Sequence, residues 1–379
     1  FDGTAGSASV HPFTANGSTY NLATRSTTYK VDEAIQNTNG TLTLDYVYIQ
    51  NVNGRGSGGG ILINGKNSGE SRVTTIRNCT IRNCISEQGS AIQITNTNGD
   101  QKGNAEKCKL VVENSIIEWN YSWGDRGEDN DGTGSGSGGT IRTNGGCVSN
   151  LYFKNVTVRN NFSGGSGGGI YWNGAGTTST CCYFDGCTFS NNAANGQGGG
   201  MMLETTYQFK PDGEVTTITG NKVLNSGGSG GGIVVTSYQG NGLNVVTSGK
   251  YTFNFDLTDK LSITNNTASL GAGISFNLGT YSLNTDWKNN DNANYQVTAN
   301  INFNGATISG NTATSGPGGG IRIYNNTAGN NGNRKVIINV NLKGGTLSNN
   351  SAKTYGGGIY TYKTDIKNAS STDVMYISG

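Results

Sequence analysis

"NNAANGQGGGMML", residues 191–203, joins a pair of asparagines to three consecutive glycines and then to apolar residues. A glycine run alone would suggest a linker, since glycine has the most backbone freedom to lose on folding and no side chain to pack. The apolar residues that follow are suited to a core, so the glycines are read as part of a folded element. The same cassette, three small residues and an apolar one, recurs at 58–61, 89–92, 138–141, 167–170, 198–201, 230–233, 271–274, 318–321 and 356–359. Upstream of most copies stands an apolar residue with Asn three positions later: IEWN (117–120), VRNN (158–161), FSNN (189–192), ITGN (218–221), ITNN (263–266), ISGN (308–311) and LSNN (347–350). In the first two copies Val52 and Cys84 occupy the Asn slot. Five residues before that apolar position comes another, as at Ile76, Val112, Phe153, Phe184, Phe303 and Leu342.

Each repeat therefore carries three short strand-like pieces separated by turns. Successive cassette apolar residues lie 29 to 49 residues apart, the variation falling after the cassette strand and between Asn120 and Gly138. Variable loops on a constant scaffold indicate a solenoid. Leucine-rich frames and 3.6-residue helical periodicity are both missing, whereas short strands with Gly and Asn corners fit a parallel β-helix. The expected fold is all-β, a parallel β-helix of about nine to ten coils with variable loops. Residues 1–44 are read as an N-terminal cap or irregular first coil and 45–379 as the repeats. "VMYISG" (374–379) is read as ending mid-coil, and the opening at Phe1 as a processed or excised start.

Stacking makes equivalent residues neighbours. Asn120, Asn161, Asn192, Asn221, Asn266, Asn311 and Asn350 are expected to form an inward column whose amides bond from coil to coil and whose backbone supplies the left-handed corner.

Composition limits the function classes. The 379 residues are 33% hydrophobic and 13% charged, with 62 Gly and a net charge of +2. That balance disfavours both an ordinary globular core and disorder. No basic stripe or nucleic-acid motif appears, so nucleic acid is not an expected partner, and no apolar run is long enough for membrane insertion by this segment. The seven cysteines form no CxxC pair, which disfavours a zinc site. Cys147 with Cys181 or Cys182 is the candidate disulfide, stapling adjacent loops, while Cys79 and Cys187 are read as small core residues.

The pairing of an F-x-x-N element with a GG-small-aliphatic element resembles the repeats of the chlamydial polymorphic membrane proteins and related surface adhesins. The resemblance covers about residues 45–379, with Gly where that family usually has Ala. It implies a right-handed helix, display at the cell surface, often as an autotransporter passenger, and adhesion to a host cell, a neighbouring cell or a glycan surface.

Catalysis on such a rod requires carboxylates that converge on one face. The residues after the cassette apolar position are expected to point outward: Leu62, Gln93, Arg142, Tyr171, Met202, Val234, Ser275, Arg322 and Tyr360. None is acidic, and Glu113 and Asp185 lie two coils apart on other strands. With a single histidine, His11, nucleophilic catalysis has no candidate triad. No enzyme activity is expected, and no cofactor is required. The acidic insertion at 124–139 offers Asp125, Glu128, Asp129 and Asp131 as candidate calcium ligands. Tyr171, Met202 and Val234 are expected to form an apolar strip that takes a partner or a cover, the segment 236–258 being the candidate cover. Trp119 and Trp123 flank the acidic insertion as a candidate aromatic platform. The functional expectation is a non-enzymatic extracellular or cell-surface adhesin or display rod. The alternatives are a filament or sheath subunit that self-associates end to end, and a polysaccharide lyase or hydrolase.

Overall fold

A computed structural model describes residues 10–15, 18–23, 33–38, 40–54, 56, 58–64, 72–95, 108–124, 138–143, 150–173, 181–204, 208–236, 250–278, 296–325, 335–363 and 374–378. Apart from an antiparallel hairpin, Val10–Ala15 with Ser18–Ala23, every strand pairing is parallel and joins one coil to the next. The chain is a right-handed parallel β-helix, the hand that parallel crossovers in a common sheet adopt.

Three sheets wrap one core. A ten-stranded cassette sheet, from Ile35–Asn37 to Ile359–Lys363, is built from the strands that follow the glycines. A 17-stranded long sheet holds two runs per coil, such as Asn150–Lys154 and Thr157–Arg159. An eight-stranded corner sheet of two-residue strands, such as Phe162–Ser163, completes the turn. Each coil thus has four pieces rather than three, because a left-handed residue (Asn78, Asn114, Asn155 or Gly186) bends the long sheet between its two runs. In the last complete coils these runs fuse into 14-residue strands, Gln296–Ser309 and Lys335–Ser348. Ile35–Asn37 and Leu42–Asp45 already pair with the next coil, so stacking begins within the segment read as a cap or irregular first coil.

The inward positions form columns. Ile49, Ile81, Ile117, Val158, Phe189, Ile218, Ile263 and Ile308 are all buried, as are the cassette residues from Ile61 to Ile321. Ile76, Val112, Phe153 and Phe184 stack in register beside them, and Phe153, Phe184, Phe189 and Phe209 interlock as aromatic neighbours. Each such side chain contributes roughly 1.5–3 kcal/mol by leaving water. The low hydrophobic fraction suffices because the few inward residues of each strand pack against those of both neighbouring coils.

The asparagine column is continuous. The main-chain N–H and Nδ2 of Asn161 both donate to Oδ1 of Asn192, at 3.1 and 3.0 Å, and Nδ2 also donates to the Ile117 carbonyl of the previous coil at 3.0 Å. The pattern repeats from Asn120 to Asn350, and Cys84, in the Asn slot of an early coil, still donates its N–H to Asn120 Oδ1. The left-handed backbone, however, belongs to the preceding residue, correcting the expectation. Asn160, Asn191, Asn265 and Asn349 have φ of 53–56°, and Gly220 and Gly310 take the same slot. Trp119 also sits there, with φ 58°. An aromatic residue in this region is a backbone outlier, since only Gly and Asn visit it readily.

In the opening stretch, Gly198 has φ +65°, which makes the turn. Gly199 serves close approach: a Cβ there would stand 2.6 Å from the Gly231 carbonyl oxygen of the next coil. The cassette is thus conformational at its first glycine and steric at its second.

Candidate functional site

The interior is closed by stacking, so a site open to a ligand must lie on outward rows or in the segments between coils. On the long sheet one outward row runs Asp45, Arg77, Glu113, Lys154, Asp185 in direct register. Arg77 pairs with Asp45 at 3.3 Å and Lys154 with Asp185 at 3.4 Å. Glu113 and Asp185 are two coils apart with Lys154 between them, which places the carboxylates in a charge ladder rather than a converging pair. A second row places Arg159 Nε 2.8 Å from Glu118 Oε2 and Arg82 on Gln50. The exposed pairs among these fix register more than they add stability, while Glu118 is largely buried under Arg159. Tyr152 and Tyr183 stack at 4.5 Å, with Lys109 over one ring and Lys210 over the other.

The outward rows of the cassette sheet differ from expectation. Tyr171, Met202 and Val234 are direct ladder neighbours, but they form no exposed strip. Val234, Gln93 and Ser275 are fully buried, and Arg142, Arg322 and Tyr171 are 6, 8 and 9% exposed. Alternation along a strand tells which side of the sheet a residue faces, not whether that side meets water. The expected cover is partly reassigned: Thr236 ends a cassette strand, and Lys250–Thr258, with "YTFNFDL", is a ladder strand of the long sheet. Residues 237–249 lie outside the described residues.

Beneath this covered face the row two residues further along each strand brings in an acid. The Tyr171 hydroxyl donates to Glu204 Oε2 at 2.5 Å, and the Arg142 guanidinium lies 5.5 Å from the Tyr171 ring centroid. Burial pushes the Glu204 carboxyl up to about 7, with the Tyr171 hydrogen bond and the Arg142 charge acting in the opposite direction. Next to Arg142 in the row, both amide atoms of Gln93 are buried without a hydrogen-bond partner. Glu204 is three residues past Met201, on the same side as Met202, and reading that position as well as the one after the cassette would have found it.

At the other end of the face, Ser275, Arg322 and Tyr360 align in one row, with Asn277, Tyr324 and Tyr362 beside them. Arg322 Nη1 donates to Ser275 Oγ at 3.2 Å and to Asn277 Oδ1 at 2.7 Å, and its guanidinium lies 4.3 Å from the Tyr324 ring centroid. Asn277 Nδ2 extends the network to Gln197 and Ser229.

On the corner sheet Trp119, Tyr121 and Trp123 are half-buried, and Tyr121 stacks on Phe162 at 5.2 Å. The candidate calcium ligands Asp125, Glu128, Asp129 and Asp131 lie outside the described residues. Among the described residues no group of three or more His, Cys, Asp or Glu side chains is arranged to hold a metal ion. Cys147 also lies outside them. Cys181 and Cys182 are buried thiols, Cys182 facing the core. Cys79 and Cys187 are buried in equivalent slots three coils apart, and burial raises both thiols, Cys187 to about 11.

The chain matches no family model, no curated protein and no solved structure. The parallel strand pairing by itself shows a repetitive β-solenoid, an architecture consistent with β-helix adhesins in general. No helix among the described residues is long and apolar enough to cross a membrane.

Proposed function

We propose that this chain is a non-enzymatic recognition rod, an adhesin or display module of the extracellular space or cell surface, as its resemblance to the chlamydial polymorphic membrane protein repeats implies. The observation that carries this reading is the division of labour in each coil. The inward Asn and apolar columns are uniform from coil to coil, while the outward rows change identity at almost every step, from charge ladder to stacked tyrosines to an arginine among tyrosines. A rigid scaffold that varies only its outer side chains is suited to recognition over an extended surface. Host-cell, neighbouring-cell and glycan surfaces are the partners of choice. The test is retention of the purified chain on arrays of cells, mucins and glycans, with and without calcium. Retention on a subset is expected, and absence from every surface under both conditions would refute the reading.

A second reading, a polysaccharide lyase or hydrolase, draws support from Glu204. A carboxyl that holds its proton near neutral pH beside Tyr171 and Arg142 has the makings of a proton-transfer group. Its 2% exposure closes it to a polymer, which ranks this reading second. Cleavage of an acidic polysaccharide that disappears in Glu204→Gln would reverse the order.

A further inference from the structure

The described cations on this rod either meet a carboxylate or, like Arg82, Lys109 and Lys210, keep part of the side chain in water. Arg77 meets Asp45, Lys154 meets Asp185, Arg159 meets Glu118, and Arg142 lies in the field of Glu204. Arg322 breaks the pattern. It is 8% exposed, its guanidinium donates to the neutral oxygens of Ser275 and Asn277, and among the described residues no carboxylate pairs with it. Its Nε is buried without a hydrogen-bond partner. A guanidinium does not deprotonate in a protein, so a buried charge without a counter-ion is a standing cost to the fold. Nη1 is already committed to Ser275 and Asn277, which leaves the Nε edge, one of the geometries by which arginine grips an oxyanion with two parallel hydrogen bonds.

The surroundings define what kind of anion fits. Tyr324 and Tyr362 stack at 5.3 Å and 9°, Tyr360 and Tyr362 lie parallel at 6.4 Å, and Tyr362 is 41% exposed. Tyr324 is taken up between Arg322 and Tyr362, so the open aromatic surface is that of the exposed Tyr362 with Tyr360 parallel beside it, and a sugar ring laid there has the guanidinium's charge at one end. A simple inorganic ion would use the arginine and leave the tyrosines idle. An acidic sugar would use both.

We infer that the grid Ser275, Asn277, Arg322, Tyr324, Tyr360 and Tyr362 is a binding site for an acidic saccharide, its carboxylate or sulfate on the Nε edge of Arg322 and its pyranose ring against the tyrosines. The inference rests on the recognition reading above and gives it a ligand class. Because Nε is closed to solvent, binding requires side chains around Arg322 to move, and the exposed Tyr362 marks where the ligand first meets the site.

Calorimetric titration of the full chain tests this with four probes: an oligogalacturonate tetrasaccharide, its carboxyl-reduced neutral counterpart, a sulfated heparin-type tetrasaccharide and sodium acetate. One or both acidic saccharides should bind roughly tenfold to a hundredfold more tightly than the neutral one, the range expected for hydrogen bonds to a charged group, and acetate more weakly still. Which acidic saccharide binds distinguishes carboxylate from sulfate. Arg322→Gln should abolish the preference for acid over neutral and Tyr362→Ala should weaken both, each variant keeping the wild-type melting profile. Should Arg322→Gln misfold, Tyr362→Ala and Arg322→Lys, which keeps the charge but loses the planar fork, still decide the matter. Equal binding of acidic and neutral probes, or full acidic preference in folded Arg322→Gln, overturns the inference. If the chain is retained on cells or glycans unchanged by these substitutions, this site fails while the recognition reading stands. Absence of binding to every probe and every surface removes both.

Discussion

Truncating Asn192 to Ala should unsettle the rod far more than changing its neighbour Asn191, although the two are adjacent and chemically identical. Asn192 is fully buried, and its side chain makes four hydrogen bonds: Oδ1 accepts from Asn161 N and Nδ2 at 3.1 and 3.0 Å, and Nδ2 donates to Val158 O and Asn221 Oδ1, both at 3.0 Å. Its own N–H bond to Asn221 survives truncation, being main chain. Four lost bonds at about 1 kcal/mol each amount to about 4 kcal/mol, before any cost for the cavity or for the Asn161 N–H left buried without an acceptor. With an unfolding entropy of about 2 cal/mol/K per residue over a chain of this length, that corresponds to a fall of roughly 5 °C in Tm. Asn191 is exposed, and its backbone holds the corner at a φ of 55°. Asn191→Gly should leave stability nearly unchanged, and Asn191→Ala should cost about 1 kcal/mol of backbone strain. Thermal unfolding ranks the variants, and residue-resolved hydrogen exchange should show loss of protection at Asn161 in Asn192→Ala alone. If Asn191→Ala destabilises as much as Asn192→Ala, or if the Asn161 amide stays protected, the division of roles between the two asparagines is wrong.

Three further outcomes follow from the same geometry. The folded-state pKa of Glu204, about 7, lies above its ordinary value of 4.5, so the native state holds a proton that the unfolded chain has already lost. Its contribution favours the fold most below pH 4.5 and is lost as pH rises to about 7, a swing of about 3 kcal/mol that Glu204→Gln should remove from the pH profile of Tm. Gly199→Ala should cost about 3 kcal/mol because its Cβ would meet backbone 2.6 Å away, whereas Gly227→Ala, with nothing within 4 Å, should melt like the wild type. Burial pushes the Cys84 thiol up to about 12 and Cys187 to about 11, so residue-resolved mass spectrometry should find both unalkylated by iodoacetamide at pH 8 in the native protein and labelled after unfolding.

Much of the fold was legible because stacking converts a local pattern into a repeated one. Once the residues three positions before each Asn and after each glycine triplet aligned, their inward columns and the parallel register followed. Two things did not follow. Within "NN" pairs the sequence does not say which Asn turns the corner and which bonds to its neighbours. The variable residue gave the clue: Gly220, Gly310 and Trp119 replace the first Asn of the pair, and a slot that accepts Gly is one that requires a conformation rather than an amide. The buried outer face of the cassette sheet was hidden for a different reason. Alternation is a property of one strand, whereas the burial of Val234 or Gln93 depends on what packs over that side of the sheet, which alternation does not encode. Glu204 was missed along with that face.

The two ends of this covered face show why it is the place to look for function. Arg142 and Arg322 occupy the same outward slot five coils apart, each packed on a tyrosine ring, at 5.5 and 4.3 Å. Packing alone therefore cannot distinguish their environments. What differs is charge: Arg142 lies in the field of Glu204, and Arg322 is surrounded by neutral oxygens and phenols. Coil stacking does not explain the choice, because Val234 fills the same slot between them with no charge at all. An arginine that the scaffold does not need, held where burial opposes its charge, is accounted for by a counter-charge that arrives from outside. Glu204→Gln makes the comparison direct. At pH 8, above the Glu204 value of about 7, it removes the native counter-charge of Arg142, and if an acidic probe then binds at the Arg142 end as well, the buried arginine among tyrosines is the determinant of the site; if binding stays at Arg322, the arrangement of Tyr360 and Tyr362 is.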